Sequence, residues 1–154
     1  MTDKAQDPQG AAEHAARIVV GIDGSQSSID AMFWAARQAE LTKATLDVVM
    51  TWEWPTSYGW AIPVPDAFDP EAEMRVSLDT NIGLLRPQHA DLKINARVMH
   101  GHPAPILVEA AKGADLLVVG SRGHGEFVGM LIGSVSEYCA TNAQCPVLIH
   151  RSTT

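Results

Sequence analysis

The chain has 154 residues, of which 46% are hydrophobic, and carries a formal net charge of −7. This is the usual length of one domain and is enough for a hydrophobic core without disulfides or structural metals. Acidic and basic residues are interspersed, and the net negative charge argues against nucleic acid or an anionic membrane as a partner, because both need a basic face.

The first 16 residues are polar and alanine-rich. We therefore expect a disordered tail over residues 1–16, followed by one domain over residues 17–151. The N-terminus lacks the apolar region of a signal peptide, and no apolar run approaches the ~20 residues of a membrane-spanning helix. Cys139 and Cys145 are too few for a disulfide framework and fit no common zinc spacing, so we interpret them as small buried residues. These features together predict a cytoplasmic protein.

Strand and helix signals alternate along the chain. Segments with strand character are 18–22, 45–52, 92–99, 116–119 and 147–150. Segments with helical periodicity or helix-boundary signals are 25–41, 71–86, 103–113 and 133–142. Ser25 is a suitable N-cap, Pro103 a suitable first helical residue and Gly113 a suitable C-terminal stop. The segment 53–70 is too long and irregular for a plain connection, which leaves a lid, a partner-binding loop or a mobile segment as its interpretation.

This alternation predicts an α/β fold, a single-domain three-layer sandwich with a five-stranded, mainly parallel sheet and helices on both faces. Polar residues alternate along the third strand, which suits an edge position. In such sheets, ligands bind beyond the carboxyl ends of the strands, where the strand order reverses.

Glycines cluster where the fourth strand ends. Gly120, Gly123 and Gly125 follow the apolar run, and Gly133-Ser134 begins the last helix. Glycines let a ligand approach the backbone closely, and successive N–H groups at a turn and at a helix N-terminus favour phosphate. The order differs from the G-x-G-x-x-G dinucleotide turn, and no G-x-x-x-x-G-K-[ST] occurs. Considered only as a glycine cluster, the stretch is equally compatible with a structural turn.

The spacing is more specific than the glycine content. Gly120, two residues, Gly123, nine residues and Gly133-Ser134 resemble the ATP-binding signature of the universal stress protein family. The resemblance extends to residues 18–25 and 145–149, and so to most of the chain. It implies the strand order 3-2-1-4-5, with the reversal between strands one and four. It also implies bound ATP, with Mg²⁺ held through the phosphates, and a homodimer formed through the last strand, Pro146–His150.

The resemblance implies ten nucleotide-binding positions: Asp23, Thr51, Gly120, Ser121, Arg122, Gly123, Gly133, Ser134, Val135 and Ser136. Asp23 would repel phosphate, so we expect it on the ribose or adenine side or near a metal. The alternative interpretation is that Asp23 is a turn aspartate that accepts hydrogen bonds from local N–H groups. We expect Ser134 and Ser136 to donate hydroxyls to phosphate while capping the helix. Arg122 either pairs with phosphate or is only solvated.

No catalytic constellation is recognisable, because the chain has no nucleophile with an identifiable base. We interpret His100 and His102 as turn residues rather than metal ligands, and the turn 101–103 as the border of the adenine pocket. His124 is expected in solvent. The favoured function is a regulatory stress-response dimer whose nucleotide-ordered loop modulates binding of an unknown protein partner. The alternatives are a slow ATPase or self-phosphorylating enzyme, and a partner-binding member that does not use nucleotide.

Overall fold

A computed structural model describes residues 14–54, 65–123 and 132–153. Within these ranges strands and helices alternate: β1 (Arg17–Ile22), α1 (Gln26–Thr42), β2 (Thr45–Trp52), α2 (Pro70–Leu85), β3 (Ile94–His100), α3 (Pro103–Ala110), β4 (Leu116–Gly120), α4 (Ser134–Asn142) and β5 (Val147–His150). The strands form one sheet in the order β3-β2-β1-β4-β5, and all four neighbouring pairs are parallel. The predicted fold class and strand order are confirmed.

The two faces of the sheet bury different sets of side chains, because successive residues of a strand point to opposite faces. Ile18 and Val20 of β1 belong to the core that contains the buried residues of α1 and Leu78 and Leu85 of α2. Val19 points the other way and joins Leu107 of α3 and Cys139 of α4 in a second core. The sheet is thus covered on both faces, which explains why β1, β2 and β4 are nearly continuous apolar runs.

A buried ion pair holds the C-terminal end of α3 against the sheet. Asp47 on β2 is only 5% exposed. The Arg17 guanidinium donates to Asp47 Oδ2 at 3.0 Å and to the carbonyls of Ala110 at 2.9 Å and Lys112 at 2.7 Å. Asn95 donates from its side-chain amide to Asp47 Oδ1 at 3.0 Å. Asn95 is one of the polar residues that predicted an edge position for β3. It therefore also stabilises the buried carboxylate of Asp47.

Two predicted boundaries differ from the structure by more than one residue. Helix α3 ends at Ala110, and Gly113 lies in the following turn, where its φ of +72° suits glycine. Strand β3 begins at Ile94 and not at residue 92, because the Leu92 N–H donates to the His89 carbonyl in a turn at 3.2 Å. Ser25 is the N-cap of α1, as predicted.

The predicted N-terminal tail lies outside the described residues up to residue 13. The described residues that follow already contact the domain: His14 Nε2 lies 2.9 Å from Asp115 Oδ1, and the Ala16 carbonyl accepts the Thr45 N–H at 2.9 Å. Most of the irregular segment 53–70, namely residues 55–64, is also outside the described ranges. No helix among the described residues is long and apolar enough to cross a membrane.

Both cysteines are free thiols. Cys139 is buried, whereas Cys145 is half-buried, so only the first matches the prediction of two buried residues. Burial, with a smaller contribution from Cys145, raises the pKa of Cys139 from 9.0 to about 11. Burial also raises the pKa of Cys145. Neither environment favours the thiolate, which is the reactive form.

Candidate functional site

A cavity of about 580 Å³ lies at the carboxyl ends of β1, β2 and β4, beneath α3 and α4. Its walls are Gly21, Ile22, Asp23, Ser28, Val49, Thr51, Pro103, Leu107, Val119, Gly120, Arg122, Gly123, Gly133, Ser134, Val135 and Ser136. The cavity lies where the strand order reverses between β1 and β4, which is the position predicted for a ligand in a doubly wound sheet. Its size is in the usual range of small-molecule sites.

Nine of the ten predicted binding residues line this cavity, and Ser121 is the exception. Ser121 is 8% exposed. Its N–H donates to the His150 carbonyl at 2.8 Å, and its own carbonyl accepts the Gly133 N–H at 2.7 Å. The backbone of Ser121 therefore connects β4 to β5 and to the residue before α4.

Asp23 occupies a tight turn between β1 and α1. Its Oδ1 accepts the Ser25 N–H at 2.9 Å, and Gly24 between them has a φ of +82°. The turn interpretation of Asp23 is thus confirmed, and the same carboxylate also borders the cavity. Its Oδ2 faces the glycine motif: a Cβ atom on Gly123 would lie 2.6 Å from it. The two turns that end β1 and β4 are therefore in close contact.

The three motif glycines are constrained by different surroundings. A Cβ on Gly120 would lie 2.7 Å from Ser27 Oγ and 3.0 Å from the Ser27 carbonyl carbon, so Gly120 allows β4 to approach the backbone of α1. At Gly123 the neighbour is the Asp23 carboxylate. At Gly133 the nearest atom of the described residues would be 3.5 Å away, at ordinary contact distance, and φ is −71°. Within the described part of the chain, neither packing nor backbone conformation requires glycine at residue 133, although glycine is preferred over alanine at a helix N-cap.

The N-terminus of α4 differs from those of the other described helices. Ser25, Asp69 and His102 each accept a backbone N–H from the first turn of α1, α2 and α3, respectively. The N-cap of α4 is Gly133, and no side chain caps the helix. The first residues of α4 line the cavity. Because the first N–H groups of a helix have no intrahelical acceptor, this end of the cavity favours an anion.

The prediction that a serine caps α4 is therefore wrong. Ser136 is 3% exposed and its hydroxyl donates to the Gly120 carbonyl at 2.5 Å. This bond connects the first turn of α4 to the end of β4. Ser134 lines the cavity without capping the helix. Arg122 is exposed at the same end of the cavity, where its guanidinium can pair with an anion.

The apolar walls of the cavity were not predicted. They include Val49, Leu107 and Val119. Val49 precedes Thr51 by two residues and so points to the same face of β2. Leu107 lies one turn after Pro103, and Pro103 confirms that the turn before α3 borders the cavity. Gly21 makes room for Leu107, since a Cβ there would be 2.5 Å from Leu107 Cδ1.

The two histidines after β3 have local structural contacts. The ring of His100 lies 4.4 Å from the Trp52 ring between centroids. His102 is the N-cap of α3 and accepts the Ala104 N–H at Nδ1, 3.3 Å away. Within the described residues, no group of three His, Cys, Asp or Glu side chains could hold a metal ion. His124 and the rest of residues 124–131 lie outside the described part of the chain.

Comparison with known proteins agrees with this architecture. Residues 14–151 match the model of the universal stress protein family. The chain belongs to the universal stress protein family. A universal stress protein of Mycolicibacterium smegmatis is 35% identical over 146 residues, which are 94% of this chain and 49% of that protein. One from Mycobacterium tuberculosis strain H37Rv is 33% identical over 136 residues, 88% of this chain and 48% of that protein. The chain thus spans about half the length of the curated relatives it matches.

Two solved universal stress proteins share the fold over nearly their whole length. The crystal structure of a universal stress protein in complex with cAMP superposes with a TM-score of 0.69 at 30% identity, over 91% of this chain and 99% of that one. UspA from Lactobacillus plantarum gives a TM-score of 0.72 at 21% identity, over 90% and 99% of the two chains. The second similarity concerns the fold alone.

Proposed function

We propose that this universal stress protein binds an adenine nucleotide, ATP with Mg²⁺ held through its phosphates, in the cavity at the ends of β1, β2 and β4. The observation that carries the proposal is the polarity of that cavity. The uncapped N-terminus of α4 and Arg122 lie at one end, and Val49 and Leu107 line the walls between the sheet and α3. A nucleotide has the matching arrangement, with anionic phosphates at one end and a flat, largely apolar base at the other.

The glycine pattern supports phosphates at the α4 end. Among the residues that the structure describes, Gly133 has space for a Cβ, and its φ is ordinary. A ligand that approaches the backbone closely is a physical reason for glycine at such a position. Gly123 and the first residues of α4 line the cavity, whereas the Gly133 N–H is already donated to the Ser121 carbonyl. We therefore assign the Gly123 amide, the first N–H groups of α4 and Arg122 to the phosphates, and Mg²⁺ would neutralise the remaining phosphate charge next to the Asp23 carboxylate.

The opposite end suits adenine and ribose. Thr51 and Pro103 border it, and Val49 supplies an apolar surface. Asp23 lies between the two ends, where a ribose hydroxyl can donate to its carboxylate. The relative at 30% identity that was crystallised with cAMP supports an adenine nucleotide as the class of ligand. The choice of ATP rests on the full spacing from Gly120 to Ser134.

Homodimer formation through β5 is part of the proposal. In the described sheet β5 pairs with β4 on one side only. The carbonyls of Pro146 and His150 accept the N–H groups of Leu117 on β4 and of Ser121 directly after it. By strand periodicity the N–H and C=O groups of residues 147 and 149 point away from β4. An edge strand with unpaired backbone groups favours pairing with a second copy.

The dimer is tested by comparing Ile149→Pro with Ile149→Ala. Both remove the isoleucine side chain, but only proline also removes the outward N–H. We expect the proline variant to sediment as a monomer and the alanine variant to remain a dimer, with circular dichroism confirming that both are folded. A folded proline variant that stays dimeric, or a monomeric wild type, would contradict this interface.

The proposed biological role is regulatory and cytoplasmic. Bound nucleotide is expected to alter the loop that joins Gly123 to Gly133, and with it a surface recognised by a protein partner. The free thiols Cys139 and Cys145 support a reducing compartment. Hydrolysis of ATP is the alternative function. The described cavity walls include one carboxylate that could act as a base, Asp23, but no histidine, so we place hydrolysis second.

The nucleotide proposal is tested on purified protein. We expect denaturation to release ATP, identified by anion-exchange chromatography, and calorimetry with Mg-ATP to show binding after the nucleotide is removed. Gly133→Ala should weaken binding at least about tenfold, because its methyl group occupies space next to the phosphates. Gly83→Ala is the matched control, since a Cβ at this site on α2 meets no atom within 4 Å and lies outside the cavity.

The outcomes separate the alternatives. ADP in place of ATP would favour the hydrolysis alternative. No released nucleotide together with no heat on adding Mg-ATP would refute nucleotide binding and favour the member that only binds partners. Equal binding by Gly133→Ala and Gly83→Ala would place the ligand elsewhere.

A further inference from the structure

The turn that carries Asp23 is closed by one buried hydroxyl, that of Ser28. Ser28 is 4% exposed and lies in the first turn of α1. Its hydroxyl donates to the Ser25 carbonyl at 2.9 Å and accepts the Asp23 N–H at 3.2 Å. Its own N–H donates to Ser25 Oγ at 3.3 Å. Ser28 is therefore hydrogen-bonded to both ends of the turn that joins β1 to α1.

The bond from the Asp23 N–H to the Ser28 hydroxyl holds the backbone of Asp23. The carboxylate is itself held by the Ser25 N–H at Oδ1. Oδ2 is positioned so closely to Gly123 that a Cβ there would be 2.6 Å away. A shift of a few tenths of an ångström in the Asp23 backbone would therefore change the contact between the turn after β1 and the turn after β4.

We infer that Ser28 is a positioning residue of the ligand site: its hydroxyl holds the Asp23 backbone so that the carboxylate meets both the Gly123 turn and the bound ligand. This inference rests on the proposed nucleotide function. Ser28 also lines the cavity. However, its single hydroxyl proton is already donated to the Ser25 carbonyl, so it has no donor for a phosphate or ribose oxygen, and we assign its effect on the ligand to Asp23.

The role predicts non-additive effects on affinity. In Ser28→Ala the Asp23 N–H loses its acceptor and the Ser25 carbonyl loses a donor. We expect Mg-ATP affinity to fall about two- to tenfold, the range of one neutral hydrogen bond. Asp23→Ala should weaken binding by at least as much. In the double variant Ser28→Ala/Asp23→Ala, the loss should equal that of Asp23→Ala alone, because no carboxylate remains to be positioned.

The experiment is a double-mutant cycle measured by calorimetry with Mg-ATP on the full chain. Thermal unfolding shows whether each variant is folded at the temperature of the titration. Asp69→Ala, which removes the side-chain N-cap of α2, is the control for a loss of stability of similar size away from the cavity. It should leave Mg-ATP affinity at the wild-type value.

Each result decides one point. A double variant weaker than Asp23→Ala by the full Ser28→Ala factor would show that Ser28 acts independently of Asp23, which overturns the inference and leaves the nucleotide site intact. Wild-type affinity in Ser28→Ala or in Asp23→Ala would also overturn it. A wild-type protein that does not bind Mg-ATP would refute the proposed function itself.

Discussion

Replacing Gly120 by alanine tests the packing argument for the glycine motif. The added methyl group would lie 2.7 Å from Ser27 Oγ, 3.0 Å from the Ser27 carbonyl carbon and 3.1 Å from its carbonyl oxygen. The hydroxyl can rotate away, but the two backbone atoms belong to the first turn of α1 and move only with the helix. The end of β4 and the start of α1 must therefore separate. Overpacking of this kind costs about 1–3 kcal/mol.

The expected loss is measurable by two methods. For a domain of this length, 1–3 kcal/mol corresponds to a decrease in Tm of roughly 2–12 °C. In urea the midpoint should fall with an unchanged m value, since the surface exposed on unfolding is the same. Gly133→Ala is the matched control, because its Cβ would be 3.5 Å from the nearest atom of the described residues and its φ of −71° suits alanine. We expect it to lose no more than about 1 kcal/mol, the cost of alanine in place of glycine at a helix N-cap.

Two results of comparing Gly120→Ala with Gly133→Ala would contradict this reasoning. If Gly120→Ala is as stable as wild type, close approach to Ser27 is not why β4 ends in glycine. If Gly133→Ala is destabilised by as much as Gly120→Ala, residue 133 is glycine for a packing reason, and the argument for phosphate at that position loses its support.

Three further predictions concern buried side chains. Asp47→Ala should destabilise the protein by about 3 kcal/mol in urea unfolding, because it leaves the Arg17 guanidinium partly buried without its carboxylate; a loss below about 0.5 kcal/mol would show that the pair contributes little. Ser136→Ala should cost about 1–3 kcal/mol, because the buried Gly120 carbonyl loses a donor; unchanged stability would mean that the carbonyl finds another donor. For Cys139 the folded-state pKa of about 11 lies above the ordinary 9.0, so the neutral thiol stabilises the folded state below pH 9. That contribution is lost as pH rises toward 11, and the stability advantage of wild type over Cys139→Ala should shrink across this interval. A difference that stays constant with pH would contradict the raised pKa.

Much of the fold follows from local sequence patterns. Short apolar runs alternating with helical segments predict the parallel sheet, and the alternating polar residues of 92–99 correctly indicate an edge strand. The strand order came from the family resemblance and not from periodicity. Element ends were less predictable: the C-terminal end of α3 depends on Arg17, which is far away in the chain and binds the carbonyls there.

The candidate site, like the fold, was only partly predictable from the sequence. Gly120, Gly123 and Gly133 are recognisable from their spacing in the sequence, because they lie at the end of β4 and directly before α4. Leu107 could not be recognised, since it reaches the cavity only through the packing of α3 on Gly21. Ser121 was assigned to the ligand with its neighbours, but its backbone bonds to β5 and to Gly133 keep it outside the cavity walls.

The amino-acid sequence by itself determined the fold class, the glycine spacing and the end of the sheet at which a ligand would bind. These depend on residue periodicity and backbone conformation, which act over a few neighbouring residues. Only the tertiary structure decided the partner of each polar group: the hydroxyl of Ser136 bonds to Gly120, and the carboxylate of Asp23 faces Gly123. Such choices depend on which elements pack together, and the residues concerned are separated by many positions in the chain.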